Sequence, residues 1–264
     1  MNRRANPRDG HTLTLSVVSH GHGLLLERLL AQLDGQASLS GMRVVVTLNL
    51  PAERLDAAAY PHLELIVIRN PVPRGFGANH NAAFEHCATA WFGVLNPDLA
   101  LTECEPFTLT LQSALARPDI GVIAPQVVAA NRSPEDSVRA NLTPWSLVRR
   151  HVLGRRKPLS DVPRAARRGA PFYWLAGMCM LINGAAFREV GGFDENFFLY
   201  CEDYDLCARL YNAGYGIAFE PKAQIIHEAQ RDSHRSLRHL RWHLASLLRV
   251  WLSASYWRVT LSSG

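Results

Sequence analysis

The sequence predicts an α/β fold: a doubly wound, mostly parallel, Rossmann-like sheet with an amphipathic helical appendage at its C-terminal end. Three observations predict it. Short, uninterrupted apolar runs such as LTLSVVS at 13–19 and MRVVVTL at 42–48 read as strands covered on both faces, as parallel strands are. Stretches of helical period follow them, so strands and helices alternate. A length of 264 residues with 48% hydrophobic composition is enough to build one large core.

Taken in order, Leu13–Ser19 is a strand that runs into His20-Gly21-His22-Gly23, and 24–33 has helical spacing. Met42–Leu48 and Leu63–Ile68 are the second and third strands. The loop Asn70-Pro71-Val72-Pro73-Arg74-Gly75-Phe76-Gly77 then enters a helix over 79–90. Trp91–Leu95 is a fourth strand, stopped by Asn96-Pro97-Asp98, residues that all favour turns. A helix over 106–116 and a strand over 121–125 follow, and the pattern then gives way to a polar, Arg-rich stretch reaching about Gly169. That is long for a structureless loop inside a domain and suggests a functional or mobile segment. Order resumes with 172–182, a small helix at 184–190, an acidic helix at 202–213, a strand at 217–220 and Ile225-Ile226-His227. The resulting division is a catalytic domain over 11–228 and a basic, amphipathic helical segment over 229–264.

The net charge of +5 is distributed unevenly. Residues 139–168 carry nine Lys/Arg against one acid, and 229–264 carry six Arg against one acid. Removing both from the 28 bases and 23 acids leaves 13 bases against 21 acids, so the basicity is local and favours a docking surface over a general polycation. Nucleic acid could meet such a surface, yet no recognised nucleic-acid module is present, and phosphate-bearing lipid or an anionic membrane surface explains the pattern equally well. Five cysteines without a CxxC pair suggest neither a disulfide framework nor a thiolate zinc site, and a reducing cytoplasm fits them. The first ten residues, MNRRANPRDG, lack the apolar stretch of a signal peptide. No window holds the roughly 18 uncharged apolar residues of a membrane span.

The chemistry-bearing residues are concentrated. FDENFFLYCEDYDL at 193–206 packs five carboxylates before and into a helix, with Asn96-Pro97-Asp98 upstream and His227 downstream. Acids and a histidine so arranged suggest a metal-and-base site. Acids in a helix's first turn also simply complement its dipole, the role expected of Asp205, and a histidine after Ile-Ile can be a core residue. The glycine-bearing Gly75-Phe76-Gly77-Ala78-Asn79 opens a helix whose N–H groups could meet a phosphate or sugar hydroxyl.

In that order, NPVPRGFGANHNAAF, LNPD, AGMCMLINGAAFREVGGFDENFFLYCEDYDLCARLYNAGY and EPKAQIIH resemble the landmarks of the inverting family 2 glycosyltransferases of GT-A fold. The branch most resembled is the bacterial rhamnosyltransferase-like enzymes of polysaccharide and O-antigen assembly. The resemblance spans roughly 13–236 and is more specific in its second half.

What the resemblance implies is an inverting transfer of a sugar, with L-rhamnose one expectation, from a dTDP- or UDP-linked donor. The acceptor would be a glycan or a polyprenyl-diphosphate-linked glycan, met at the inner face of the cytoplasmic membrane. A hard divalent cation, Mn²⁺ or Mg²⁺, would neutralise the departing diphosphate. Asp98 falls where the family places the last acid of its metal motif, Asn96 replaces the first, and His227 matches the histidine that completes the site. Inversion needs one carboxylate to take the acceptor proton. The family's base falls on Asp203, with Glu202 the neighbouring alternative. The donor side would draw on Ser19, His20, Asn49, Arg74, Gly75, Phe76, Asn79, Asn81, Asn96 and Gly177. Many relatives carry Asp-Asn after the second strand, where the acid contacts the nucleotide base. Here the pair is Leu48-Asn49, and the first strand ends in Ser19-His20-Gly21 in place of Ser-Tyr-Asn.

The C-terminal segment sets Leu237, Leu240, Leu244, Leu247, Leu248 and Trp251 on one helical stripe with Arg235, Arg238, Arg241 and Arg249 largely off it. Such a helix can rest on an anionic bilayer, pack on the catalytic domain or make a homodimer contact. Two other classes compete with the transferase. A nucleotidyltransferase needs a basic, Gly-rich signature near the first strand that 20–23 does not supply, and a non-catalytic polyanion-binding module would use its acids only as helix caps.

Overall fold

A computed structural model describes residues 13–151, 165–228 and 237–262, with the side chains of 149–151, 237 and 238 left aside. The start of the expected domain at 11, the centre of the basic stretch and Arg231 and Arg235 lie outside the described residues. The core is a nine-stranded sheet. Its strands are β1 (Leu13–Ser19), β2 (Arg43–Leu48), β3 (Glu64–Arg69), β4 (Trp91–Leu95), β5 (Leu99–Ala100), β6 (Ile120–Val128), β8 (Ala165–Ala166), β10 (Cys179–Asn183) and β11 (Gly216–His227). They run in the order β3-β2-β1-β4-β10-β6-β11-β5, with β8 beside β11. A separate ribbon pairs β7 (Val138–Ala140) with β9 (Tyr173–Leu175).

The first half is a parallel α/β unit: β2 lies between β1 and β3, and β4 flanks β1 on the other side. Val44, Val45 and Val46 are fully buried, so both faces of β2 are covered, which is why the sequence there is apolar without alternation. On one face packs α1 (Gly23–Asp34), burying Leu26, Leu29, Leu30 and Leu33 at helical spacing. On the other sits α2 (Phe76–Phe84), which buries Ala78, His80 and Ala83. The chain then passes through α3 (Pro106–Leu115) and inserts β10 antiparallel between β4 and β6. α5 (Gly184–Glu189) and α6 (Glu202–Asn212) follow it.

Several elements differ from the expectation. α2 begins three residues earlier and ends sooner, because Gly75 in extended backbone caps it and Glu85 closes it. The strands expected at 217–220 and 225–227 are one strand, β11, whose register against β6 jumps between Glu220 and Gln224. Pro221 has no N–H to give to the ladder there, and the intervening residues bulge out. The stretch expected to lack structure after 125 contains the end of β6, β7 and α4 (Pro144–His151). The single expected C-terminal helix is two, α7 (Leu237–Leu252) and α8 (Ala254–Ser262). Ser253 breaks them, its Oγ accepting the Tyr256 N–H at 3.2 Å as a helix cap.

Candidate active site

The turn Asn96-Pro97-Asp98 leaves β4 at its carboxyl end, and β5 pairs with the last residues of β11 so that Leu99 lies opposite His227. This register delivers His227 to Asp98: the imidazole Nε2 is 3.2 Å from Asp98 Oδ2, while Nδ1 lies 2.8 Å from Glu135 Oε2. Burial lowers the His227 pKa, but the Asp98 carboxylate and then Glu135 raise it more, and the net shift is upward. Asp98 Oδ1 is buried without a hydrogen-bond partner. Among the described residues no three ligand side chains converge on one point. The imidazole instead turns its two nitrogens to two different carboxylates.

The second carboxylate group sits on α6. Tyr200 and Cys201 take left-handed backbone (φ 74° and 64°) just before the helix, an unusual conformation for side-chain-bearing residues. That turn buries Glu202, 5% exposed, and leaves Asp203 half-buried beside the turn joining β9 to β10. Asp203 Oδ2 accepts the Gly177 N–H at 2.8 Å and Oδ1 the Tyr204 N–H at 2.8 Å. Burial raises the Asp203 pKa, opposed by the charge of Arg139 and by those N–H groups. Glu202 is raised well above its ordinary value, by burial and then by the charge of Asp203, and its Oε2 has no partner. Burial and the Asp203 charge both favour the protonated form of Glu202. Asp205 is tied to Arg209 at 2.7 Å, and Asp194 caps the Asn196 N–H at 2.9 Å.

Short hydrogen bonds join the two groups. The Asn96 N–H donates to the Met178 carbonyl at 2.9 Å, one residue from the Gly177 amide that meets Asp203. The Ala176 N–H donates to Ser137, two residues from Glu135. Asp203 therefore touches the 176–178 turn at the carboxyl end of β4, and the Asp98–His227–Glu135 series is tied to the same turn through Asn96 and Ser137, each two residues from one of its acids.

The glycine loop lies alongside, and its glycines answer to packing. A Cβ on Gly75 would meet the Phe198 carbonyl oxygen at 2.8 Å, and one on Gly77 the Phe193 Cβ at 2.7 Å. They let the acidic segment 193–198 press on α2, where Phe76 N–H donates to Phe198 at 3.0 Å. Asn49 and Asn79 are buried within a lattice of amides: Asn70 donates to both at 2.8 and 2.7 Å, and Asn49 Oδ1 accepts the Arg74 N–H at 2.9 Å. Asn81 grips Phe193 through its N–H and carbonyl, each at 2.9 Å. The Arg74 guanidinium is exposed, 3.4 Å from Glu195, and His20 is exposed with Nδ1 3.1 Å from Asn49. Ser19 is buried and bonded to Glu53.

Glu53 also accepts the Leu50 N–H at 3.0 Å and, with Leu48, Arg69, Asn70 and Pro71, lines a cavity of about 250 Å³ at the ends of β2 and β3. A larger groove of about 500 Å³, lined by Asn81, Glu85, Arg188 and Glu195 among others, includes neither Asp98, Asp203 nor His227. Glu53, Glu135 and Arg139 were not singled out from sequence. The missing acid after the second strand was a signal for Glu53, four residues on. Glu135 and Arg139 sit where no periodicity marks structure, although Arg139, stacked 4.9 Å over Trp174 and paired with Asp136 at 3.4 Å, faces the Asp203 charge.

The fold is shared with solved glycosyltransferases. A mannosyltransferase, PcManGT from Pyrobaculum calidifontis, in complex with GDP-Man and Mn²⁺, superposes with TM-score 0.63 at 16% identity, covering 95% of this chain and 72% of that one. GalNAc-T7 with UDP, GalNAc and Mn²⁺ gives 0.64 at 14% identity, covering 92% and 48%. In sequence, the N-acetylglucosaminyl-diphospho-decaprenol L-rhamnosyltransferase of Mycobacterium tuberculosis (strain ATCC 25618 / H37Rv) is 30% identical over 94% of this chain and 87% of its own. The rhamnosyltransferase WbbL of Escherichia coli (strain K12) is 28% identical over 88% and 90%. Residues 43–245 match the family described as glycosyltransferase like family 2, and the chain belongs to that family.

Proposed function

We propose that the protein is an inverting rhamnosyltransferase that moves L-rhamnose from a dTDP- or UDP-linked donor to a polyprenyl-diphosphate-linked glycan in cell-surface polysaccharide synthesis. The observation that carries this reading is the gathering of Asp98, His227 and Asp203 about the 176–178 turn. The names of the two rhamnosyltransferase relatives supply the sugar, and that of the Mycobacterium tuberculosis relative the lipid-linked acceptor.

Asp203 is the base. Two of its roughly four lone-pair sites are taken by the Gly177 and Tyr204 N–H groups, which fix the carboxylate and leave the other sites for the acceptor hydroxyl. A raised pKa makes it the more basic toward that proton. Glu202, buried and disfavoured as an anion, is its support and not its rival.

Asp98 and His227 fit a divalent cation, Mn²⁺ or Mg²⁺. Asp98 Oδ1 is buried and unpartnered, and His227 presents Nε2 toward Asp98 while Glu135 accepts from Nδ1, the outer contact by which metal-bound histidines are oriented. The ion would neutralise the departing diphosphate as the glycosidic bond breaks. With Asn96 in place of an acid, one carboxylate binds here.

On the donor side, His20, Arg74 and Phe76 are the accessible contacts. Asn49, Asn79 and Asn81 act by holding the 70–81 loop and the 193–195 segment in place, Gly75 by letting that segment approach, Ser19 by fixing Glu53, and Asn96 and Gly177 by their backbone N–H groups at the 176–178 turn and Asp203. The cavity beside Glu53 seats the nucleoside, with Glu53 as the acid that Leu48 does not provide.

A thermal-shift screen of nucleotide sugars with and without Mn²⁺ tests the reading. A ligand at a hundred times its Kd adds about 2.7 kcal/mol of stability. A dTDP- or UDP-sugar should give the largest shift, and only with metal. No shift from any nucleotide sugar removes the proposal.

A further inference from the structure

The expected apolar stripe of the C-terminal segment is divided by the structure between two faces of α7. One face packs inward: Leu247 and Val250 are buried, and the Trp251 indole donates to the Leu142 carbonyl at 2.8 Å. The other leaves Leu240, Leu244, Leu248 and Leu252 exposed at 53%, 57%, 56% and 76%. Spaced four apart, they form one ridge along the helix. Single exposed leucines are ordinary, but a continuous ridge of four marks a contact surface. In α8, Trp257 and Leu261 repeat the spacing at 53% and 81% exposed.

The charge beside the ridge selects its partner. The exposed residues beside it are Arg241, Ala245 and Arg249 on α7, the last with its guanidinium 5.7 Å over the Phe197 ring, and Ala254 and Arg258 on α8, and neither helix contains an acid. Two copies meeting through this face would set arginine against arginine. A layer of anionic headgroups offers the complement, with leucines entering the acyl boundary and a tryptophan at the interface.

The inner face of the same helix holds the approach to the base. Ser246 Oγ donates to the Leu199 carbonyl at 3.0 Å, Tyr200 Oη meets His239 Nδ1 at 2.9 Å, and Trp242 stacks 4.8 Å from Phe198. Those residues lead through Cys201 directly into Glu202 and Asp203. The ridge is thus separated from the catalytic segment by one helix, roughly 10 Å thick.

We infer that the Leu240/Leu244/Leu248/Leu252 ridge, with Arg241 and Arg249, seats the protein on an anionic bilayer surface, α7 acting as the spacer that sets Asp203 at headgroup height. The choice of bilayer rests on the proposed lipid-linked acceptor as well as on charge.

Co-sedimentation with vesicles of phosphatidylcholine, alone or mixed with phosphatidylglycerol, tests it. The chain should pellet with the mixed vesicles and less so as salt rises. Leu244→Glu/Leu248→Glu should weaken pelleting ~tenfold or more, and Arg241→Gln should weaken it on mixed vesicles alone. Both positions are exposed, so the melting temperature should hold and serves as the folding control. Failure of the parent chain to bind either vesicle, or equal binding by the double glutamate variant, overturns the inference. So does a dimer that the double variant converts to monomer without any vesicle binding. Nucleotide-sugar thermal shifts on the same samples separate the two readings: a chain that binds donor but no vesicle loses the docking surface and keeps its proposed function.

Discussion

The Gly177 amide donates to Asp203 Oδ2 at 2.8 Å, so the carboxylate proposed as base is aimed by backbone and not by a neighbouring side chain. No substitution short of proline deletes a backbone donor, and it orients the acid whether or not substrate is present.

Asp203→Asn keeps the shape and removes the base. An amide has one acceptor oxygen for two N–H donors, so either Gly177 or Tyr204 also loses its partner. Transfer kcat should fall about 10²–10⁴-fold with donor binding retained. Glu202→Gln, which keeps the shape of a buried side chain that does not face the Gly177 amide, should leave kcat within about an order of magnitude. Single-turnover transfer assays beside thermal shift with donor decide it, and comparable losses in both variants would reject the assignment of Asp203 over Glu202.

Glu135 is expected to act through His227. Glu135→Gln leaves Asp98 and the imidazole in place but weakens the acceptor at Nδ1, 2.8 Å away. Mn²⁺ affinity should drop about 10–100-fold, read directly by titration of the metal against the paramagnetic signal of free Mn²⁺. An unchanged affinity would mean that the contact serves packing alone.

The part of the fold legible in sequence is the part with two covered faces. Val44–Val46 and Trp91–Leu95 are apolar runs because both sides of the sheet are buried there, as they are along Cys179–Ile182. β11 reads as two pieces in sequence because Pro221 and Lys222 interrupt the run, although the strand resumes its pairing with β6 beyond them in a shifted register. Glu135 and Arg139 lie in a polar stretch whose shape is set by the distant 173–177 segment through β7–β9 pairing, which no local period encodes. For α7 the stripe was legible and its partition was not. Leucines that face the core and leucines that face outward have the same hydrophobicity, and only the packing of 197–200 tells them apart.

Two glycines with opposite surroundings test the close approach of the acidic segment to α2. Gly77→Ala would put a methyl 2.7 Å from the Phe193 Cβ. Either α2 or the 193–198 segment must shift, and the fold should lose about 1–3 kcal/mol. Gly23→Ala, in the first turn of α1 with nothing within 4 Å, should instead be neutral or stabilising by up to about 1 kcal/mol. Urea melts of both variants give the comparison, and equal effects would contradict the packing argument.

His80 makes stability depend on pH. The ring is fully buried, Nδ1 is 2.8 Å from Ser16 Oγ, Nε2 has no partner, and burial pushes the pKa down from 6.5 to about 3. The folded chain therefore holds this histidine neutral between those values, while the unfolded chain takes up a proton below 6.5. More protons bound by the unfolded state means that stability rises with pH in this window, is complete above 6.5, and is lost as pH falls toward 3. Between pH 7.5 and 5.5 this group alone should remove about 1 kcal/mol. His80→Gln will lower stability at every pH through lost packing, but it should flatten the slope over that interval by the same amount. Urea denaturation of both chains at the two pH values measures the difference, and parallel slopes would show that the histidine finds its proton inside the fold.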